Sequence, residues 1–91
     1  MILLVTYNLT EPSASYGDLF DVLKSQNSWW HYLPSTWLVD TDLGVEEFYG
    51  MLKPHLQSGD HILVTKLDAE RQGWLPKKAW AWIHRHEEER E

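Results

Sequence analysis

This sequence contains no cysteine. Disulfide bonds and thiolate metal sites are therefore excluded, and a cytoplasmic location is the simplest expectation. Long apolar runs are also missing, because the stretches 2–5 and 62–64 are far too short to span a bilayer. No basic residue precedes the first of them, so the start does not resemble a signal peptide. We expect no membrane partner.

Several catalytic signatures are absent as well. The glycines are isolated, so no glycine-rich phosphate loop is present, and no serine lies in the sequence context of a nucleophile elbow. Neither nucleophilic catalysis nor a small-molecule cofactor is expected from these motifs.

Positive charge is scarce. Fourteen acidic residues against eight basic ones give a net charge of −6, which works against nonspecific binding to nucleic acids. The segment 27–52 contains no lysine or arginine at all. The chain has 91 residues, 43% of them apolar, which predicts one globular domain with a modest core. Because such a core is marginal, a homodimer is expected.

Apolar periodicity gives the order of elements. We predict a strand at 2–8, a helix from about 15 to 26, a two-strand hairpin within 29–40, a helix from about 45 to 53, a strand at 61–67, a helix at 74–86 and a charged tail at 87–91. This order predicts an α+β, ferredoxin-like βαββαβ core over 1–67, in which a four-stranded antiparallel sheet carries two helices on one face. The C-terminal helix is additional to that core.

Both faces of the first strand are apolar. Residues 3, 5 and 7 point to one side of the sheet, and residues 2, 4 and 6 point to the other. Two helices can cover only one of these faces. We therefore expect either the third helix or a second copy of the chain to cover the remaining face.

Two short strands carry a resemblance to a known family. The segment 2–9 reads Ile-Leu-Leu-Val-Thr-Tyr-Asn-Leu, and the segment 35–39 reads Ser-Thr-Trp-Leu-Val. Together they resemble the SinR-like branch of the superfamily that contains CRISPR-associated protein 2 and the VapD-type toxin ribonucleases. The resemblance covers roughly residues 1–67. It implies a ferredoxin-like fold, a homodimer and, in several relatives, metal-dependent nuclease activity or a structural role in nucleic-acid complexes.

The resemblance departs at the position that would bind metal. In those families an aspartate usually ends the first strand, and two copies hold a divalent metal across the dimer axis. The matching residue here is Asn8, and an amide oxygen is a weaker ligand than a carboxylate for a hard cation. The helical pattern at 74–86 also replaces a further strand that is common in relatives.

The predicted topology brings polar residues to one edge of the sheet, at the ends of strands one and two and the starts of strands three and four. These residues are Asn8, His31, Tyr32, Ser35, Thr36, Asp60 and His61. One interpretation is a site for a phosphate or a metal ion. The other is that Asn8, Ser35 and Asp60 only make hydrogen bonds in turns.

Two further pairs of residues are interpreted as structural. Asp40 and Asp42 precede a helix and are expected to cap it, although paired carboxylates can also perform acid–base chemistry. His84 and His86 are two apart on a predicted helix, where such residues point to different faces and do not share a metal.

Tryptophan and lysine positions define candidate interaction surfaces. The indoles of the hairpin could stack bases, but core packing or a dimer contact is favoured because no basic residue surrounds them. The predicted interface residues are Trp29, Trp30, Trp37 and Trp80. The predicted nucleic-acid contacts are Lys66, Arg71, Lys77 and Lys78, if a dimer doubles their charge.

Two functions remain open from the sequence. The first is a small dimeric binding or scaffold protein that acts in a protein, RNA or DNA complex, without an intact metal-nuclease site and without a cofactor. The second is a divalent-metal-dependent endoribonuclease with Mg²⁺ or Mn²⁺ at the dimer interface. Its catalytic residues would be Asn8, Ser35 and either His31 or His61.

Overall fold

The computed structural model of the protein describes residues 1–88. Its elements are β1 (Ile2–Asn8), a 3₁₀ turn (Ser13–Tyr16), α1 (Gly17–Lys24), β2 (Ser28–Leu33), β3 (Thr36–Asp40), α2 (Val45–Leu52), a second 3₁₀ turn (Lys53–His55), β4 (His61–Lys66) and α3 (Lys77–Glu88).

The four strands form one antiparallel sheet in the order β2-β3-β1-β4. β1 therefore lies in the interior between β3 and β4, where a strand with two apolar faces is stable. With α1 and α2 as the connections, this is the ferredoxin-like arrangement. The predicted α+β fold class is confirmed.

The first face of the sheet carries the larger core. Leu3 and Val5 of β1 and Val39 of β3 are fully buried there. They pack with apolar side chains of α1 and α2, among them Leu19 and Phe48. The helices supply these side chains at helical spacing, so each presents one apolar stripe to the sheet.

α3 covers much of the second face. Its buried side chains Ala79, Trp82 and Ile83 pack with Ile2 and Leu38 of the sheet. The indole nitrogen of Trp82 also donates to the Ser28 hydroxyl of β2 over 3.0 Å. Of the two expected coverings, the structure uses the terminal helix.

The ends of the helices differ in part from the predicted ones. α3 begins at Lys77 and not at residue 74, because Pro76 accepts the first turn's hydrogen bond from the Ala79 amide. It runs to Glu88, so the predicted tail at 87–91 starts inside the helix, and residues 89–91 lie outside the described residues. None of the helices in the described part is both long and apolar enough to cross a bilayer.

β2 contains a bulge. Trp30 pairs with Leu38 and Leu33 pairs with Thr36, so two residues of β2 lie opposite the single residue Trp37 of β3. The extra residue changes the alternation of faces. As a result Leu33 lies on the α3 face of the sheet. Strict alternation from Trp30 would have placed it on the opposite face.

The capping role predicted for Asp40 and Asp42 is wrong. Gly44 is the residue that precedes α2, and no side-chain hydrogen bond caps the helix. The buried Asp40 carboxylate instead accepts a hydrogen bond of 2.8 Å from Nδ1 of His86, which is also buried. Asp40 thus connects β3 to α3, because a buried carboxylate has to find its hydrogen-bond donors within the protein.

The packing of α3 is tested by Ile83→Ala, which removes a side chain that is 2% exposed. We expect the free energy of unfolding to fall by about 2–5 kcal/mol, because the substitution leaves a cavity under the helix. Urea unfolding measures this change. The matched control is Met51→Ala on α2, whose side chain is 41% exposed. A loss no larger for Ile83→Ala than for this control would contradict the packing of α3 on the sheet.

Candidate functional site: an aromatic groove beside the sheet

The predicted edge of the sheet exists, and part of it lines a groove of about 560 Å³. We call it the aromatic groove. It is lined by Tyr7, Asn8, Leu9, Glu11, Ser13, Phe20, Lys24, Trp29, His31, Pro34, Ser35 and Trp37. It lies between α1 and the β2–β3 hairpin. Its size is within the range of small-molecule sites.

Trp37 organises the aromatic wall. The imidazole of His31 stacks on its indole with ring centroids 4.0 Å apart and an angle of 8° between the planes. Trp29 lies at 5.3 Å and Phe20 at 6.0 Å from the same ring. His31 meets Trp37 because the pairing of Trp30 with Leu38 places the next residue of β2 opposite Trp37. Trp37 itself is buried, whereas 41% of Trp29 is exposed.

The indole nitrogen of Trp37 has a hydrogen-bond partner among the residues that line the groove. Its Nε1 donates to the Tyr7 hydroxyl oxygen over 2.9 Å. Burial raises the pKa of Tyr7, and this effect outweighs the opposing effect of the hydrogen bond. Tyr7 therefore stays a neutral hydroxyl at physiological pH and contributes no negative charge to the groove.

His31 is held in one orientation. Its Nδ1 donates to the carbonyl oxygen of Thr36 over 3.0 Å. A carbonyl can only accept, so the neutral imidazole carries its proton on Nδ1 and has its acceptor on Nε2. The residue thus combines a stacking surface with a defined hydrogen-bonding edge.

One cation lies at the side of the groove. The Lys24 ammonium is 5.7 Å from the centroid of the Trp29 ring, a cation–π distance. Among the described residues that line the groove, Lys24 is the sole lysine or arginine, and Glu11 is an acidic neighbour. The local charge therefore suits a ligand with no more than one or two negative groups.

The predicted site residues separate into two places. Asn8, His31 and Ser35 line the aromatic groove. His61 lies opposite Asn8 in the β1–β4 pair and not among the lining residues of the groove. Within residues 1–88, no three histidine, aspartate or glutamate side chains lie close enough together to hold one metal ion.

Two other residues of the predicted edge serve elsewhere. The hydroxyls of Thr36 and Thr6 share a hydrogen bond of 3.1 Å across the β1–β3 pair. The ring of Tyr32 packs at 5.2 Å from Trp30, away from the groove. Neither belongs to the lining.

Asp60 has the structural role that the sequence left open for it. Its carboxylate accepts hydrogen bonds from the Thr10 amide and hydroxyl, the Tyr16 hydroxyl and the Gln57 amide at 2.7–2.9 Å. Desolvation acts to raise the pKa of Asp60, but these hydrogen bonds prevail and lower it to about 2. The carboxylate joins the loops before α1 and before β4.

This network predicts a pH dependence of stability. Because the folded pKa of about 2 lies below the ordinary 3.8, the ionised carboxylate stabilises the fold above pH ~4, and that contribution is lost as the pH falls towards 2. Asp60→Asn should lower the free energy of unfolding at neutral pH and flatten its decline in this acidic range. Urea unfolding across the range measures both effects. Asp21→Asn, at an exposed aspartate of α1, is the control, and an equal response from it would contradict the role of Asp60.

The predicted interface tryptophans also separate. Trp37 and Trp30 are buried within the chain and present almost no surface to a partner, because the two faces of the hairpin pack under α1 and α3. Trp80 is half-buried beside the second core. Only Trp29 of the four is strongly exposed.

The predicted basic cluster is partly neutralised. The Arg71 guanidinium makes two hydrogen bonds of 2.6 and 2.8 Å to the Glu87 carboxylate. These bonds raise the pKa of Arg71 and lower that of Glu87. Lys77 and Lys78 are exposed in the first turn of α3, and Lys66 ends β4. None of these four residues lines the aromatic groove.

Comparisons with models of protein families, with curated proteins and with solved structures found no match to this chain. The function is therefore inferred from the groove and from the surface of the molecule.

Seven of the twelve residues that line the groove were not among the predicted site residues, and three of these seven form its wall or supply its cation. Tyr7 was assigned only to a sheet face, Phe20 only to the core, and Lys24 to no role. The spacing of Phe20 and Lys24, four residues apart on one helix face, was a usable signal. Sequence alone could not show that this face meets the hairpin.

Proposed function

We propose that this protein works by binding, and that the aromatic groove holds one unpaired base of a short single-stranded nucleic acid. The observation that carries the proposal is the half-exposed Trp29 indole beside the His31–Trp37 stack. Base–aromatic stacking contributes about 1–3 kcal/mol per base in proteins that bind single strands.

The polar residues at the rim of the aromatic groove favour a nucleobase as the ligand, in preference to an aromatic side chain of a protein partner. Asn8 offers both a donor and an acceptor, and the Ser13 and Ser35 hydroxyls add more. A nucleobase has polar atoms around its ring that can use such partners, whereas a phenyl or indole ring has few or none. Lys24 can meet a single phosphate.

The acidic chain limits how much nucleic acid can be held. A net charge of −6 repels a long polyanion. The proposal is therefore a contact with one base and about one phosphate, and its salt dependence should be shallow. The logarithm of the binding constant should fall with a slope of about −0.7 against the logarithm of salt concentration.

The test is a titration with adenosine monophosphate and with a short single-stranded oligonucleotide, followed by the indole N–H signals in NMR spectra. We expect the signals of Trp29 and Trp37 to shift. Trp29→Ala should weaken binding about tenfold, because it removes the exposed stacking surface. Inorganic phosphate alone should shift neither signal.

The matched control is Trp74→Ala, which removes an indole that does not line the groove. This variant should bind the mononucleotide like the unmodified chain. Equal affinity of Trp29→Ala and the unmodified chain, or no shift with millimolar nucleotide, would reject the groove as a base-binding site. Binding of N-acetyltryptophanamide in preference to the nucleotide would point to a protein partner instead.

The alternative is a metal-dependent endoribonuclease with Mg²⁺ or Mn²⁺ between two copies. It is favoured by one observation, the position of Asn8 in the same groove as His31 and Ser35 and directly opposite His61. A carboxylate at residue 8 would complete such a site.

Asn8→Asp separates the two functions. If the protein works by binding, calorimetry should detect no Mn²⁺ uptake in either form, and neither form should cleave RNA. If the nuclease alternative is correct, the variant should bind the ion clearly more tightly than the unmodified chain. Asn27→Asp, at an exposed position after α1, controls for added charge.

We further propose that the protein acts as a homodimer, as its resemblance to the SinR-like proteins implies. The small core supports this proposal, because a chain of 91 residues buries a modest share of its surface alone.

A further inference from the structure

The loop between β4 and α3 presents a bare tryptophan. Trp74 is 99% exposed, more than any other large apolar side chain of the described residues. A fully exposed indole is unfavourable in water and is typical of an interaction anchor. It does not belong to the aromatic groove.

Beside this loop lies an apolar pocket of about 170 Å³ on the α3 face of the sheet. We call it the α3 pocket. Leu4, Trp30, Leu38, Leu75 and Trp80 contribute to its lining. The chain neighbours of Trp74, Gly73 and Leu75, form part of its wall, so the exposed indole and the pocket belong to one surface.

The rim of the pocket is apolar too. Leu33 lies on this face because of the β2 bulge and is 43% exposed. Tyr32, which packs on Trp30, is 60% exposed. Together with Trp74 these side chains offer on the order of 400 Å² of surface per molecule.

The surface is self-complementary. A projecting indole and a pocket for a side chain lie together, which is what a two-fold symmetric contact requires of each partner. Two copies together would bury about 800 Å² of surface from these three side chains, and burial of the pocket walls would add to this area. Specific interfaces begin at about 1,000 Å². The area therefore fits a weak dimer.

Charge also favours a second copy here. The segment 68–78 holds Asp68 and Glu70 against Arg71, Lys77 and Lys78, and Glu87 pairs with Arg71, so this surface is about neutral in a chain of net charge −6. Two acidic molecules repel each other over most of their surfaces. The repulsion is weaker at this segment, so two copies can approach each other through it.

We propose that two copies of this chain associate by inserting Trp74 of each into the α3 pocket of the other. This gives the homodimer proposed above a specific surface and is independent of the aromatic groove.

Sedimentation equilibrium of the full chain tests the proposal, over concentrations from about 5 to 200 µM. We expect association towards twice the monomer mass of 10.8 kDa. Trp74→Ala should weaken it at least about 30-fold, because the variant removes the anchor. Since Trp74 is 99% exposed, the variant should keep its fold. Met51→Ala, on the opposite face, is the control and should associate like the unmodified chain.

A complementation experiment tests the reciprocal geometry. Leu33→Lys places a charge at the mouth of the pocket and should also weaken association. A mixture of Trp74→Ala and Leu33→Lys should associate more tightly than either alone, because an intact indole then meets an intact pocket. Failure of the mixture to exceed both variants would overturn the reciprocal insertion.

Other outcomes would overturn the proposal in distinguishable ways. A monomer throughout the concentration range would reject this surface and the homodimer together. A dimer that is unaffected by Trp74→Ala would reject the surface alone. If the protein is a monomer and Trp74→Ala abolishes its binding of the oligonucleotide, the Trp74 indole contacts a nucleic acid and not a second copy of the chain.

Discussion

A sheet with two apolar faces is the constraint on which the rest of this structure depends. β1 carries Leu3 and Val5 on one side and Ile2 on the other, and all three are buried. Residues 1–88 supply three α-helices with which to cover both sides. Covering the second side requires α3, so the C-terminal helix is part of the core and not an appendage.

The two candidate surfaces are the places where this covering is incomplete. On the first face, α1 leaves the hairpin partly open, and the aromatic groove lies in that gap. On the second face, α3 leaves the α3 pocket beside Trp74. β2 contributes to both surfaces, since His31 stacks in the groove and Leu33 borders the pocket. The extra residue of its bulge places Leu33 at the pocket.

Two carboxylates connect elements that are distant in sequence. Asp60 joins the loop before α1 to the turn before β4, and Asp40 joins β3 to α3 through His86. Both carboxylates lie near ends of strands, where the sequence suggested a functional site or a helix cap. Their hydrogen bonds instead join these elements to one another, and neither carboxylate lines the groove.

The sequence by itself determined the order of elements, the ferredoxin-like class and the two faces of β1, because periods of 2.0 and 3.6 residues depend on local apolar spacing. It also brought Asn8, His31 and Ser35 to one edge, since strand direction follows from topology. Only the tertiary structure decided that α3 covers the open face, that Trp37 and Trp30 are buried and that Asp40 pairs with His86. Those outcomes depend on contacts between residues that are distant in sequence, such as Asp40 and His86, which are 46 positions apart. They also depend on a bulge in β2 that the pattern of apolar and polar residues does not predict.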